Sequence, residues 1–474
     1  MMMIFSSRQV WATKGPLSGL RRSIFHLILH GSSLFSTRGS TFMWQKLLWF
    51  CCALALTGCA VNPVTGRNEL ALSPVSTQQE IEMGQKAFPR ILQKMGADFP
   101  DPELDAYVNR VGMRLARVSH RPDLPYRFKV VNDSSPNAFA LPGGSIAISR
   151  GLLVGLQNEA QLAAVLGHEI GHVTARHAVQ GMQRESLLNL GLAVLGAAAD
   201  QTPYAGLAGP TGQLAAGLID KTYSREQESE ADRLGIDYMV KAGYNPLGSV
   251  QVQEYFYRQI EGGARPSWLA GLFRSHPFSR DRMRANDAYV RQRYAATLNN
   301  PAYRLDVDPF QAAVRNLRTL EPGYRLYDRA RLQERKGDLN GAIATYLQAA
   351  AKAPDQALIL TGLGMAYLKA GDPRSARRHL ARAVRLQGDY YRSRLGLGYV
   401  LLQQHKTARA VTQLERSMDL YPTAQGGFLL AEGYEKTDRS REALQLYQAV
   451  ARADARGELG QAAARRAARL AGRR

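Results

Sequence analysis

His168, Glu169 and His172, in the run HEIGH, are spaced for hydrolytic chemistry. Positions four apart share one face of a helix, so the two imidazoles can bind one Zn²⁺ at roughly 2.0–2.1 Å. Glu169 would stand beside the ion, placed to take a proton from the attacking water and return it to a leaving amine. That division of labour hydrolyses peptide bonds. A match this short recurs by chance, and its bland alternative is a pair of exposed histidines on an ordinary helix. Context favours the site: Asn158 to Val173 places Leu162, Val165, Leu166, Ile170 and Val173 at helical spacing, which predicts a helix with an apolar stripe to bury.

A catalytic Zn²⁺ takes a third protein ligand and keeps one position open. The run YSREQESEAD, Tyr223 to Asp232, offers that ligand. Glu228 and Asp232 share a helical face, with Glu228 able to reach the ion and Asp232 one turn on, orienting an imidazole N–H from outside. Glu226 and Glu230 read as the solvated acidic face of the same helix.

HEIGH, SREQESEAD and then SHPFSRDR, with Ser275, His276, Pro277 and Arg282, resemble the three successive motifs of the M48 family of zinc metallopeptidases. Asn137 to Leu153 resembles the strand pair ahead of the zinc helix in that family, and the resemblance covers roughly residues 70 to 290. It implies one Zn²⁺ per chain, held by His168, His172 and Glu228, with Glu169 as base and with His276 and Arg282 in the site. Two roles for His276 are open. With Arg282 it could donate to the oxyanion of the tetrahedral intermediate; alternatively it could ride on a loop and supply a fourth ligand that keeps the enzyme latent. Pro277, with Gly262, Gly263, Pro266 and Gly271 upstream, predicts a movable loop.

The elements that must hold these residues are mostly helical. Ser76 and Gln79 read as a capping box opening a helix that runs to about Met95. A second helix starts at Asp101 and Pro102, with Leu104, Tyr107, Val108, Val111 and Leu115 on one apolar face. Phe128 to Val131 and the segments flanking Pro142-Gly143-Gly144 read as strands, the latter as a hairpin, and an exposed edge there could take substrate as an added strand. Residues 187–219, rich in Leu, Ala and Gly, read as a buried helical hairpin turning at Gly209-Pro210, or alternatively as a lid or membrane-touching element. Their uninterrupted apolar part ends at Asp200 and is too short to span a bilayer.

From about residue 311 a repeat emerges. Gly337 and Gly371 lie 34 apart, as do Gly364 and Gly398, and Ala342, Ala376 and Ala410 keep that period. Such a unit resembles the tetratricopeptide repeat. The spacing predicts about three full repeats from 324 to 424, a degenerate unit near 428–456 and a terminal helix. The expected fold is mainly α with a small β-sheet (α+β): a zinc metallopeptidase domain over 76–310 and an α-solenoid of repeats over 311–474.

The 474 residues carry a formal charge of +21, and residues 311–474 supply most of it, with 29 basic against 15 acidic side chains. No nucleic-acid fold motif is present, so the basic surface, with Arg374, Arg377, Arg378, Arg382, Arg385, Arg392 and Arg394 concentrated together, points to acidic protein surfaces or anionic lipid. At the other end, the apolar run after Met43 is too short for a membrane anchor and reads as a signal segment ending at residue 58. Leu56-Thr57-Gly58-Cys59 resembles a bacterial lipobox, with Cys59 acylated and residues 59–75 as tether. By resemblance to other lipoproteins, the absence of Asp at the next position, Ala60, favours the outer membrane. Cys51 and Cys52 would leave with the signal, so no internal disulfide can form. Residues 1–42, with Arg21-Arg22, read either as a twin-arginine signal or as a start placed ahead of the true one at Met43.

An exported M48 domain with such repeats implies a periplasmic, outer-membrane-attached lipoprotein of a Gram-negative bacterium, acting in quality control and assembly of outer-membrane proteins. Unfolded or misassembled envelope proteins would be its substrates, and the barrel-assembly machinery a partner of its repeats. A repeat-based chaperone or scaffold with a mostly latent protease, and a broad scavenging protease, are the competing readings.

Overall fold

The computed structural model describes residues 59–61, 64, 66, 68–70, 75–190, 223–261, 276 and 279–472. Residues 1–58, expected to be a signal segment, the Leu/Ala/Gly-rich segment beyond Leu190, and Gly262, Gly263, Pro266, Gly271 and Pro277, expected to form a movable loop, lie outside the described residues. Among the described residues no helix is long and apolar enough to cross a membrane.

Local capping chemistry starts the first two helices. Ser76 and Gln79 form a reciprocal capping box at α1 (Thr77–Lys94), and Asp101 accepts from Leu104 N at the start of α2 (Pro102–Ala116), each satisfying amide groups that a helix start leaves unpaired. The apolar face of α2 packs on a three-stranded sheet of β1 (Arg127–Val131), β2 (Ala138–Leu141) and β3 (Ser145–Ser149), in the order β1-β3-β2. β1 runs parallel to β3 with Arg127 opposite Ser145, while β2 is antiparallel to β3 with Ala138 opposite Ile148. The hairpin turn uses Gly143 at φ +80°, where a Cβ would meet the Ile81 backbone at 2.5 Å, so both the torsion and the approach of α1 call for glycine there.

Of the two edges of this three-stranded sheet among the described residues, that of β1 is occupied. Along the outside of β1, Asp105 and Asn109 side chains accept from the Val130 and Phe128 amides, and Phe99 N donates to Val130 O. All four residues of β2 are at most 6% exposed, with the helix Glu159–Thr174 packed against that strand.

After β3 come α3 (Arg150–Gly155), α4 (Glu159–Thr174), α5 (His177–Leu190), α6 (Arg225–Lys241), α7 (Leu247–Glu261) and α8 (Arg280–Arg293). The repeat array begins with α9 (Arg315–Arg335) and α10 (Leu339–Lys352). It continues through the pairs α11 (Ala357–Lys369) and α12 (Pro373–Leu386), α13 (Tyr391–Gln403) and α14 (Thr407–Leu420), and α15 (Ala424–Glu435) and α16 (Ser440–Ala453). α17 (Glu458–Ala471) closes it. The 34-residue period has a packing cause. A Cβ at Gly364 would sit 2.6 Å from Leu380 Cγ, and one at Gly398 2.6 Å from Leu414 Cγ, so in the second and third pairs a glycine on the first helix receives a leucine from the second. The unit expected to be degenerate is a complete helix pair.

One buried cluster runs from Ala97 through the sheet and α4 into α9, α10 and α11 as far as Tyr390. Arg150, 1% exposed, lies 3.7 Å above the Tyr324 ring, and its Nε donates to Asn132. Ser134 donates to Asp328, Gln387 to Asp98 O, and Tyr391 N to Gln93. The first three helix pairs thus contact the N-terminal half directly.

Candidate metal centre

α4 is capped by Asn158, which accepts from Gln161 N, and it is buried around nearly its whole circumference. It takes Glu169 and His172, both 2% exposed, into the core, where polar groups need partners. α6 supplies them because small residues let the two helices touch backbone to backbone. A Cβ at Gly171 would lie 2.8 Å from Ala231 O, and one at Gly235 would lie 2.8 Å from His168 N. At that separation Glu228, wholly buried, reaches the histidine pair.

His172 Nε2 lies 3.0 Å from His168 Nε2 and 3.3 Å from Glu228 Oε1. His276 Nδ1 lies 3.2 Å from His168 Nε2 and 2.9 Å from Glu228 Oε1. All four donor atoms fall within 4.8 Å of one another. Ligands about 2.05 Å from a central ion occupy tetrahedron corners about 3.3 Å apart, so the donor set fits one Zn²⁺-sized cation.

The electrostatics also call for positive charge. Burial pushes Glu169 above the usual carboxylate range. Burial also opposes the charge on Glu228, but His276, His172 and His168 outweigh it and hold that carboxyl well below its ordinary value. Burial keeps His172 neutral, its ligand form, despite Glu228. For His276, burial is outweighed by Glu228 and Glu169, which lift it to about 9. Its other nitrogen, Nε2, is 3.5 Å from Glu169 Oε1.

Each histidine of the HEIGH run has a partner behind it. His168 Nδ1 is 2.9 Å from Asp232 Oδ1. Arg282, buried and placed by the Ser279 cap of α8, donates through Nε to Asp232 Oδ2 at 2.9 Å and through Nη2 to Oδ1 at 2.8 Å. Its Nη1 is 2.6 Å from Glu228 Oε2, so one guanidinium ties the inner carboxylate to the outer one. Burial opposes ionisation of Asp232, and Arg282 and His168 overcome it, holding the carboxyl far below its usual range.

Behind His172 the partner is one the motif reading missed. His172 Nδ1 lies 2.9 Å from His177 Nδ1, and His177 Nε2 lies 3.1 Å from Glu230 Oε2. With Glu230 accepting from His177 Nε2–H, His177 Nδ1 can accept from His172 Nδ1–H, which leaves the His172 Nε2 lone pair facing inward. Glu230 is therefore not part of a solvated acidic face; its side chain is 15% exposed, and Glu226 is the exposed one. His177 follows His172 by five residues, off the helical face, and it returns only because Arg176 turns the chain at φ +60°. Tyr223 also stacks on His172, ring centroids 3.9 Å apart. Beside Glu169 and His276 opens a cavity of about 60 Å³ walled by Leu152, Val165, Ile236, Val252 and Phe256.

The sequence profile of Peptidase family M48 matches residues 102–290, and that of a tetratricopeptide repeat matches 327–373 and 361–424. The chain is similar to the beta-barrel assembly-enhancing protease of Escherichia coli (strain K12), 34% identical over 221 residues that make up 44% of each chain. It is 30% identical to the mitochondrial metalloendopeptidase OMA1 of Schizosaccharomyces pombe over 48% of this chain and 65% of that protein. It is likewise 30% identical to metalloprotease YcaL of Escherichia coli (strain K12), over 40% of this chain and 72% of that one. The match thus spans less than half the length of the first of these relatives.

Proposed function

The chain belongs to Peptidase family M48 and carries tetratricopeptide repeats behind its peptidase segment, and on that premise we propose that it is a Zn²⁺-dependent endopeptidase. The observation that carries this reading is the set of four donor atoms within 4.8 Å, with a buried carboxylate beside it. His168, His172 and Glu228 would hold the ion, which when bound polarises a peptide carbonyl and activates water. Glu169 is the base. A buried carboxylate raised above its usual range is a better proton acceptor near neutrality. It takes the proton of the attacking water as the C–O bond forms, then delivers it to the amine nitrogen as the C–N bond breaks. Asp232 and Arg282 position His168 and Glu228, while His177 and Glu230 position His172. The apolar cavity beside Glu169 accepts a substrate side chain. In the test, the purified chain cleaves an unfolded reporter protein, a chelator stops it, and Zn²⁺ restores it. Cleavage that persists after measured removal of the metal ends this reading.

His276 acts as a latent fourth ligand in this proposal. Its Nδ1 shares the space between His168 and Glu228, where it would occupy the position that a catalytic ion keeps open for water. If the latent form outweighs the open one by about 1.4 kcal/mol, only about one molecule in ten is competent, and His276→Ala raises basal cleavage about tenfold. A collapse in rate with the metal still bound favours the oxyanion role instead.

We place the enzyme in the envelope of a Gram-negative bacterium, attached to the outer membrane through acylated Cys59 and acting on unfolded or misassembled envelope proteins, with the barrel-assembly machinery as partner. The Leu56-Thr57-Gly58-Cys59 order and the name of the first relative above support this. Cys59→Ser is expected to abolish acyl labelling and release the protein from the membrane fraction; retention without label would point to another anchor.

A further inference from the structure

The seven arginines that cluster in the sequence separate in the fold. Arg382 pairs with Asp355 at 2.9 Å, Arg394 donates to Gln413 at 2.8 Å, and Arg392 is largely buried beside Tyr390 and Tyr327. Arg374, Arg377, Arg378 and Arg385 remain on the open face of α12, and Arg409 of α14 joins them from the opposite wall. Between these walls lies a groove of about 720 Å³, floored by Leu397 and Leu401 of α13. No carboxylate lines it, and none of the five arginines makes an ion pair among the described residues.

Such an arrangement is costly without a ligand. Like charges three and four apart on α12, at Arg374, Arg377 and Arg378, repel and weaken the helix that carries them. Guanidinium groups also pair with carboxylates through two parallel hydrogen bonds, which favours this anion over a diffuse one. The arginine face from Arg374 to Arg385 is about 16 Å long at 1.5 Å per residue, the length of about five residues of extended chain. Because successive side chains of an extended segment point to opposite sides, alternating acidic and apolar residues would offer carboxylates to the walls and apolar groups to the leucine floor.

We infer that this groove is a docking site for an extended, acidic-apolar polypeptide segment, separate from the metal centre. A second copy of a chain carrying +21 is electrostatically disfavoured. A planar anionic membrane suits the arginine rims but leaves the recessed leucines uncovered.

The test is fluorescence anisotropy on the full chain with a labelled peptide of alternating glutamate and leucine, against its lysine-leucine counterpart. The expected result is binding of the acidic peptide alone, weakening as salt rises. Affinity should fall about tenfold or more in Arg374→Glu/Arg378→Glu and, from the other wall, in Arg409→Glu, each checked for an unchanged thermal transition, since truncation of close charge pairs at interfaces has effects of this size. Arg382→Glu, already paired outside the groove, should bind normally. Equal binding of the lysine peptide, equal loss in Arg382→Glu, or arginine-dependent binding of phosphatidylglycerol vesicles with no peptide binding would each overturn the inference.

Discussion

Glu228→Ala is expected to lose metal and peptidase activity together, with zinc content falling from one per chain to near none. Glu228 is the carboxylate around which the centre is assembled: His172, His276 and Arg282 all converge on it, and its side chain has no exposure to water. Without it, the remaining donors are imidazoles beside a guanidinium whose charge is only partly met by Asp232. A cation entering that space meets repulsion with one ligand fewer. Removing one partner from a buried charge pair also destabilises a fold by about 3–5 kcal/mol, so loss of activity alone would be ambiguous. Glu228→Gln keeps the volume while removing the charge and one acceptor oxygen, and comparing zinc content with the melting transition in the two variants separates metal loss from unfolding. Stoichiometric zinc with normal activity in Glu228→Ala would exclude it as the third ligand.

What the sequence made legible was whatever depends on local periodicity. The four-residue spacing of His168 and His172 fixes a common helix face whatever surrounds it. Capping boxes, as at Ser76 and Gln79, are set by residues three apart. The repeat was visible because glycine and alanine recur at one period: Gly364 against Ala376 O and Gly398 against Ala410 O make the same contact one unit apart. Features that depend on tertiary return of the chain were not visible. His177 reaches His172 only through the turn at Arg176, and Glu230, an acidic residue among acidic residues, acquires its partner only from that turn. The last repeat pair looked degenerate because its consensus is weak, yet Gly433 against Val411 and the buried Ala443 keep the close helix contacts that matter. Nor could spacing show that Arg150 lies against Tyr324, joining the sheet to the first repeat helix through one core.

Glu169→Gln is expected to lower kcat on the order of 100- to 10,000-fold, the usual contribution of a positioned general base, while zinc remains bound. The substitution preserves shape but leaves no group able to accept a proton in the attack step. Its effect on stability runs the other way from its effect on rate. Burial raises the Glu169 carboxyl above its ordinary value, so the folded protein holds that proton more tightly than the unfolded chain does. In the metal-free protein, ionisation at neutral pH therefore costs stability, and the neutral amide removes that cost, so the metal-free variant should melt no lower than the metal-free parent; a lost rate cannot then be ascribed to unfolding. The same shift fixes the pH dependence. Only the ionised carboxylate is a base, so kcat/KM of the parent should fall as pH drops through a value above the ordinary glutamate range of about 4.3, and that limb should be missing from the residual activity of the variant. Unchanged turnover in Glu169→Gln would remove Glu169 from the chemistry. With chemistry removed and metal and repeats intact, the variant also separates the two cellular readings. Envelope proteins captured on it, together with failed rescue of envelope assembly, mark proteolysis as the working activity. Full rescue would instead mean that binding through the repeats suffices and that the peptidase is held in reserve.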